Sequence, residues 1–273
     1  MKVAYLGPRG SFSEEAATNY FLYENIEHCV CDSLLEVLEA VSEGQAEKGI
    51  VPIENSIEGT INVIADGLLQ YKLHIEGDLI FPVSLHLLTV RGGDLDNIQE
   101  VWSILPALAQ CRQYIKKIGV RSKQFDSTSL AAETLQLQQR QDVAAIASES
   151  AARVFDLKIA KRNIQDNLEN HTRFIVVNND NHIITDPHKT MLVVTPCDDY
   201  PGLLTNILNA FSSLSINLSW IESRPTKKKL GNYHFFLEAE AGISDPRIEK
   251  ALAILHIYGH EVRVLGSYNT IKL

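Results

Sequence analysis

Val51-Pro52-Ile53-Glu54-Asn55-Ser56-Ile57-Glu58-Gly59, residues 51–59, follows directly on Gly49 and Ile50. Gly49 to Val51 reads as an apolar strand, and Pro52 then withholds a backbone donor from the ladder. Glu54, Asn55, Ser56 and Glu58 fill four of five positions with polar side chains, and a helix-patterned run starts at Thr60. A strand that ends in a polar turn before a helix is where open α/β sheets keep their ligand chemistry. Asn55 and Ser56 are uncharged hydrogen-bonding groups, whereas Glu54 and Glu58 are candidate acids or bases. Taken alone, the stretch is more simply a polar turn with a helix cap.

The chain around it has 273 residues, which suits two domains or one large one. A net charge of −9 argues against nucleic acid as the main partner and implies that an anionic substrate needs a local cationic clamp. No apolar run reaches the roughly 18 residues of a membrane span, so no membrane partner is expected. Lys2 to Leu6 is too short for a signal sequence and runs at once into Gly7-Pro8-Arg9, so it reads as a first strand and the expected location is cytoplasmic. Cys29, Cys31, Cys111 and Cys197 have no zinc-ligand spacing and read as buried reduced thiols, and the nine scattered histidines indicate no metal site.

Residues 1–78 alternate strand and helix. Ser11 with Glu14, and Ser33 with Glu36, are capping boxes ahead of apolar helical stripes. Leu79 to Val90 is a long β-rich run. A second alternating half follows, with a helix at Pro106–Ile118, strands at 120–125 and 143–147, and helices at 128–140 and 148–155. A polar loop, 164–171, then leads into a strand at 172–177. Two such halves imply a cleft that closes on a ligand. A polar, aperiodic segment over 179–188 reads as a linker. From Lys189 the pattern is β-α-β-β-α-β, the ferredoxin-like order, with an open sheet edge that invites pairing with a second copy.

Three further segments can carry chemistry. Gly7-Pro8-Arg9-Gly10-Ser11-Phe12-Ser13 sets a glycine loop at a helix N-terminus, an arrangement that favours anions. Asn170-His171-Thr172-Arg173-Phe174 opens a strand, with Thr172 and Phe174 on one face. Pro201-Gly202-Leu203-Leu204 starts a helix, and Glu222-Ser223-Arg224-Pro225 ends a strand.

Together these segments resemble the prephenate dehydratases. Residues 52–59 match Pro-Ile-Glu-Asn-Ser-x-Glu-Gly, and residues 7–13 match Gly-Pro-x-Gly-Thr-Phe-Ser with Ser11 for Thr. Residues 170–174 match Asn-x-Thr-Arg-Phe. Gly202-Leu203-Leu204 and Glu222 to Pro225 resemble the phenylalanine-binding motifs of ACT regulatory domains. One segment departs, since Ile104-Leu105-Pro106 stands where the family has His-Pro-Gln.

The resemblance implies an α/β fold with a two-lobed, periplasmic-binding-protein-like catalytic domain at 1–178. Lobe one is about 1–78 plus the 172–178 strand, and lobe two about 79–171. It also implies an ACT domain at 189–273. It implies a lyase that converts prephenate to phenylpyruvate without metal or organic cofactor. Thr172 would be the catalytic residue, with Gly10, Ser11, Asn55, Ser56, Glu58, Arg173 and Phe174 binding substrate. Arg173 is a candidate carboxylate clamp, with backbone donors at Ser11 and Ser56 as rivals. L-Phenylalanine would bind as effector at Gly202, Leu203, Leu204, Asn217, Leu218, Glu222, Ser223 and Arg224, in a homodimer or homotetramer. An arogenate dehydratase and a non-catalytic amino-acid sensor are the alternatives.

Overall fold

The computed structural model describes residues 1–180, 184–228 and 230–273. The first elements follow the apolar pattern closely: β1 (Lys2–Leu6), α1 (Phe12–Tyr20), β2 (Glu27–Cys31), α2 (Leu34–Ser42) and β3 (Lys48–Asn55). Then come β4 (Gly59–Thr60), α3 (Asn62–Gln70), β5 (His74–Pro82) and β6 (His86–Thr89). After a 3₁₀ turn at Leu95–Asn97 the chain forms β7 (Glu100–Ser103), α4 (Leu105–Gln110), α5 (Arg112–Ile118), β8 (Arg121–Gln124) and α6 (Thr128–Gln138). β9 (Val143–Ala147), α7 (Glu149–Val154), β10 (Lys158–Lys161) and β11 (His171–Asn178) follow. The last part holds β12 (Lys189–Thr195), α8 (Leu203–Ser212), β13 (Leu218–Pro225), β14 (Tyr233–Ala239), α9 (Pro246–Ile257), β15 (Glu261–Tyr268) and β16 (Thr270–Lys272).

Four helices start at a serine whose hydroxyl accepts the N–H three residues on. Ser11 takes Glu14, Ser33 takes Glu36, Ser127 takes Leu130 and Ser148 takes Ala151, at 2.9 to 3.2 Å. In both expected capping boxes the glutamate reaches one residue further back than the motif requires. Glu14 accepts from Gly10 N–H at 2.5 Å and Glu36 from Asp32 N–H at 2.8 Å.

The strands form three sheets. The first has the order β16-β5-β11-β3-β1-β2, with the short β4 against β3. β1, β2 and β3 are parallel, but β11 runs antiparallel to both β3 and β5. The second sheet is β10-β6-β9-β7-β8, and the third is β13-β14-β12-β15 with every pair antiparallel. Residues of the third sheet alternate between two cores. Leu192, Val194, Phe235 and Leu237 pack under α8 and α9. Met191, Val193, Phe236 and Tyr268 join the core of the first sheet, with Val51, Ile53 and Ile175.

Several expectations are corrected. The β-rich run 79–90 is two strands in two different sheets, so a division at about residue 78 falls inside β5. The 106–118 helix breaks at Cys111, whose backbone is not helical, giving α4 and α5. β4 and β10 were not anticipated; at two and four residues they lack a readable period. β16 returns to pair with β5, so residues 270–272 belong to the first sheet and not to the C-terminal one. The segment 179–188 is only partly within the described residues. Cys197 is exposed, not buried. His86 is a satisfied strand histidine, its Nδ1 accepting Asn163 N–H at 3.0 Å.

Candidate functional site

β3 and β11 are adjacent antiparallel strands, and Asn55 is the direct register partner of Thr172. The turn after Val51 and the strand entrance at His171 therefore meet at one end of the first sheet. Ser56 locks them: its hydroxyl accepts from His171 N–H at 3.0 Å and donates to Glu169 O at 3.1 Å.

A chain of side chains runs outward from Thr172, and its polarity is determined by the backbone. Asn55 Oδ1 accepts the N–H groups of Ile57 and Glu58, at 2.9 and 3.0 Å, which only an oxygen can do. Asn55 Nδ2 must then face the other way, donating to Thr172 Oγ1 and Asn170 Oδ1 at 2.9 Å each. Asn170 Nδ2 donates to Gln110 Oε1 at 2.9 Å, and Gln110 Nε2 to Glu58 Oε1 at 3.2 Å. The chain joins β3 and β11 to α4, which belongs to the second sheet. Thr172 uses an acceptor site in this chain, so its O–H remains available to donate to a bound group.

Thr172 opens onto a cavity of about 300 Å³ between the first two sheets. Ser11, Phe12, Ser13, Asn55, Glu58, Ile61 and Phe174 line it on one side. Val83, Leu85, Ile104, Pro106, Ala107, Gln110 and residues 126–129 line it on the other, with Asn170 between. The accessible area of its walls is mostly apolar, although half of the lining residues carry polar side chains. Phe174 is buried edge-on against Phe81, the ring centroids 6.3 Å apart, so its face is fixed. No lysine, arginine or histidine lines the cavity among the described residues; the ionisable lining groups are Glu58 and Asp126, both exposed. The local cationic clamp expected from the net charge is absent from this wall.

Arg173 is the clearest departure from expectation. A strand sends successive side chains to opposite faces, so Arg173 points away from Thr172 and the cavity. Its Nε donates to Asp78 at 2.6 Å and its Nη2 to Glu238 of β14, while Tyr268 donates to Glu238 at 2.6 Å. Lys189 Nζ lies 3.1 Å from Glu238 Oε1. Asp78 and Glu238 are fully buried. Burial pushes the Glu238 carboxyl up, but the Arg173 guanidinium and the donors Ser219 and Tyr268 outweigh it and hold it at about 2. Arg173 thus fastens the strand beside Thr172 to the third sheet and contributes no clamp to the cavity.

Gly10 and Ser56 also lie outside the lining. Gly10 has φ of 77°, and a Cβ there would meet Ala151 Cα at 2.9 Å, so only glycine permits this approach of the loop to α7. Its carbonyl accepts from Ser148 Oγ at 3.0 Å. Ser11, Asn55, Glu58, Thr172 and Phe174 do share the cavity. Sequence reasoning passed over Asn170 and Gln110 as site residues, and over the polar cluster Asp126-Ser127-Thr128-Ser129. That cluster was visible as polar residues at a strand-to-helix turn.

The expected effector residues cluster only in part. Val194 and Ser223 both neighbour Phe235 in the ladder, so Glu222–Arg224 and the α8 start at Gly202 occupy one end of the third sheet. Leu203 lines a small depression of about 180 Å³ there with Asp198, Tyr233 and His234. Leu204 is partly exposed. Asn217 and Leu218 lie at the far end of β13, where Asn217 donates to Glu240 at 2.8 Å. Arg224 forms a forked pair with Asp66 of α3, at 2.7 and 3.1 Å, a second tie between the third sheet and the first.

A prephenate dehydratase family model matches residues 3–182. The chain is 35 % identical to a prephenate dehydratase of Bacillus subtilis, with all of both chains covered. A Staphylococcus aureus prephenate dehydratase structure superposes with a TM-score of 0.89 at 36 % identity, covering 98 % of this chain and 100 % of that one. An Arthrobacter aurescens prephenate dehydratase, solved in complex with L-Phe, gives 0.89 at 31 % identity, covering 98 % and 90 %. The residues that line the cavity, from Leu6 to Phe174, lie wholly inside the matched residues, and the chain belongs to the prephenate dehydratase family.

Proposed function

We propose that the cavity converts prephenate to phenylpyruvate, and that the third sheet is an ACT-type regulatory domain responding to L-phenylalanine. The observation that carries the first part is the donor Thr172, oriented by Asn55 over a mostly apolar cavity. In the reaction the ring carboxylate leaves as carbon dioxide. The electron pair of the broken C–C bond enters the ring, and the ring C–OH bond breaks on the opposite carbon. The departing hydroxide takes one proton and leaves as water, and the ring becomes aromatic. No electrons are lost or gained overall, so no redox group is required.

Aromatisation supplies the driving force, and the protein's task is to lower the barrier to departure. A threonine hydroxyl is a weak acid, so Thr172 acts chiefly by a hydrogen bond that strengthens as charge builds on the leaving oxygen. Phe174 and Ile104 offer flat apolar surface to the ring. Ile104 and Pro106 in the wall also favour loss of the carboxylate, because charge dispersed into the ring is destabilised less by an apolar wall than charge on oxygen. Glu58, which accepts from Gln110 at 3.2 Å, is the ionisable group at the outer end of the Thr172 network.

On this reading residues 1–178 are a bilobed catalytic domain and 189–273 the regulatory one. L-Phe in the Arthrobacter aurescens complex supports the effector. β13 is an edge strand of the third sheet, which suits association of two copies along it. Purified protein is expected to form phenylpyruvate, read by its absorbance in alkali, from prephenate and not phenylalanine from arogenate. Added L-phenylalanine is expected to change the rate. Turnover of arogenate alone would overturn the substrate assignment, and turnover of neither would leave a binding protein.

A further inference from the structure

The first turn of α6 faces the cavity from the second sheet, as the starts of α1, α3 and the six-residue α4 also do, and it differs from that of α1. At α1 the positive end already has its own anion: Glu14 is buried there and accepts from Gly10 N–H at 2.5 Å and from the Tyr5 hydroxyl at 3.2 Å. The first turn of α6 contains no acidic residue. Its cap Ser127 satisfies Leu130 N–H, and Ala131 N–H closes the first turn on Ser127 O, which leaves the N–H groups of Thr128 and Ser129 as the end's open donors.

Ser129 is the second and independent observation. It lines the cavity, it is completely buried, and among the described residues its hydroxyl has no hydrogen-bond partner. A buried hydroxyl without a partner is destabilising relative to alanine. Its retention beside two open backbone donors and a helix dipole makes sense if a ligand oxygen completes it. With no cation on the lining among the described residues, these donors give the cavity wall an anion-attracting feature. Asp126, which flanks the cap, is exposed, so its repulsion of an anion is screened by solvent.

We infer that the α6 N-terminus, through the Ser129 hydroxyl and the Thr128 and Ser129 N–H groups, is the subsite for the substrate carboxylate that survives the reaction. The inference rests on the dehydratase reading and names which carboxylate is held where. Donors that stabilise a carboxylate oppose its loss as carbon dioxide, because cleavage drains charge from the oxygens they hold. A strong clamp therefore suits the pyruvyl carboxylate, which is present in both prephenate and phenylpyruvate. The ring carboxylate, which must leave, is then left to the apolar side of the cavity.

The test is Ser129→Ala, with Ser129→Cys as a variant that keeps the volume. Three measurements are made: KM for prephenate, the competitive inhibition constant of phenylpyruvate, and the thermal midpoint. The loss of one hydrogen bond to a charged group is expected to raise KM and the inhibition constant together, each by about 10- to 100-fold. The midpoint is expected to stay or rise, since an unpartnered hydroxyl is removed. Phenylpyruvate binding to Thr172→Ala, measured by calorimetry with and without the Ser129 change, gives the same comparison without turnover. An inhibition constant within two-fold of the unaltered protein overturns the subsite, as does a fall in midpoint with no change in either constant. If the unaltered protein does not turn over prephenate at all, the reaction assignment fails instead, and that outcome is separate.

Discussion

Thr172→Ala is expected to lower kcat by about 100- to 1,000-fold, the range for removal of a single donor aimed at developing oxygen charge. Thr172→Ser should retain most of the rate, because the hydroxyl is kept and Asn55 still orients it. The structural cost is small. Asn55 Nδ2 keeps its bonds to Asn170 Oδ1 and His171 O, at 2.9 and 3.2 Å, so no buried amide is orphaned. Stability should change by roughly 1 kcal/mol, or a few degrees in Tm for a chain of this size. The decisive pattern is a collapsed kcat with an almost unchanged thermal midpoint. A rate within a few-fold of the unaltered protein would remove Thr172 from the chemistry. Asn55→Ala should lower kcat less than Thr172→Ala but destabilise more, since Ile57 and Glu58 N–H lose their shared acceptor.

The largest stability effect is expected at Glu238→Leu. This change leaves the Arg173 and Lys189 charges facing a single buried partner, Asp78. Breaking a buried pair from one side typically costs about 3–5 kcal/mol. Glu238→Gln tests the same link more gently, because its one amide oxygen can still accept from Tyr268 or from Ser219, which bond different carboxylate oxygens in the unaltered protein. The pH dependence follows from the depressed carboxyl. Its folded value of about 2 lies below its ordinary 4.5, so its contribution is complete above about pH 4.5 and is lost as pH falls toward 2. A shift of that size corresponds to a contribution on the order of 3 kcal/mol. Acid denaturation curves of the unaltered protein and Glu238→Gln should therefore converge as pH falls from about 5 to 2. Parallel curves across that window would show that Glu238 does not carry the acid sensitivity.

The same cluster joins the strand of Thr172 to the third sheet. Arg173 neighbours Thr172 in the chain, and Glu238 sits in the third sheet between Trp220 and Met191 in the ladder. On the proposed function, a shift of the third sheet is expected to reach the strand that carries Thr172 through these buried groups. Arg224 provides a parallel tie. Its bonds hold the Asp66 carboxyl below its usual range, and Asp66 lies in α3, the helix that follows the Asn55 turn. Arg224→Ala is expected to weaken the phenylalanine response while leaving prephenate turnover without effector within a few-fold. An unchanged response would separate Arg224 from regulation.

Much of this protein was legible in its sequence because the information is local. The serine caps and the two-residue alternation of β13 depend on near neighbours and on burial, and both appear where their spacing implies, whereas β3 runs on through Pro52 to Asn55. Asn55, Glu58, Thr172 and Phe174 were named as site residues by what the family resemblance implies, and they do line one cavity. What depends on contacts between distant segments was decided by the tertiary structure. The side of β11 that Arg173 occupies follows from strand pleat, but its buried partners Asp78 and Glu238 lie 95 and 65 residues away. The return of residues 270–272 to the first sheet has no local signature, because three residues carry no period. Nor could any pattern show that Ser129 is buried without a partner: a cap serine and an anion-binding serine look alike until the opposite wall of the cavity is in place.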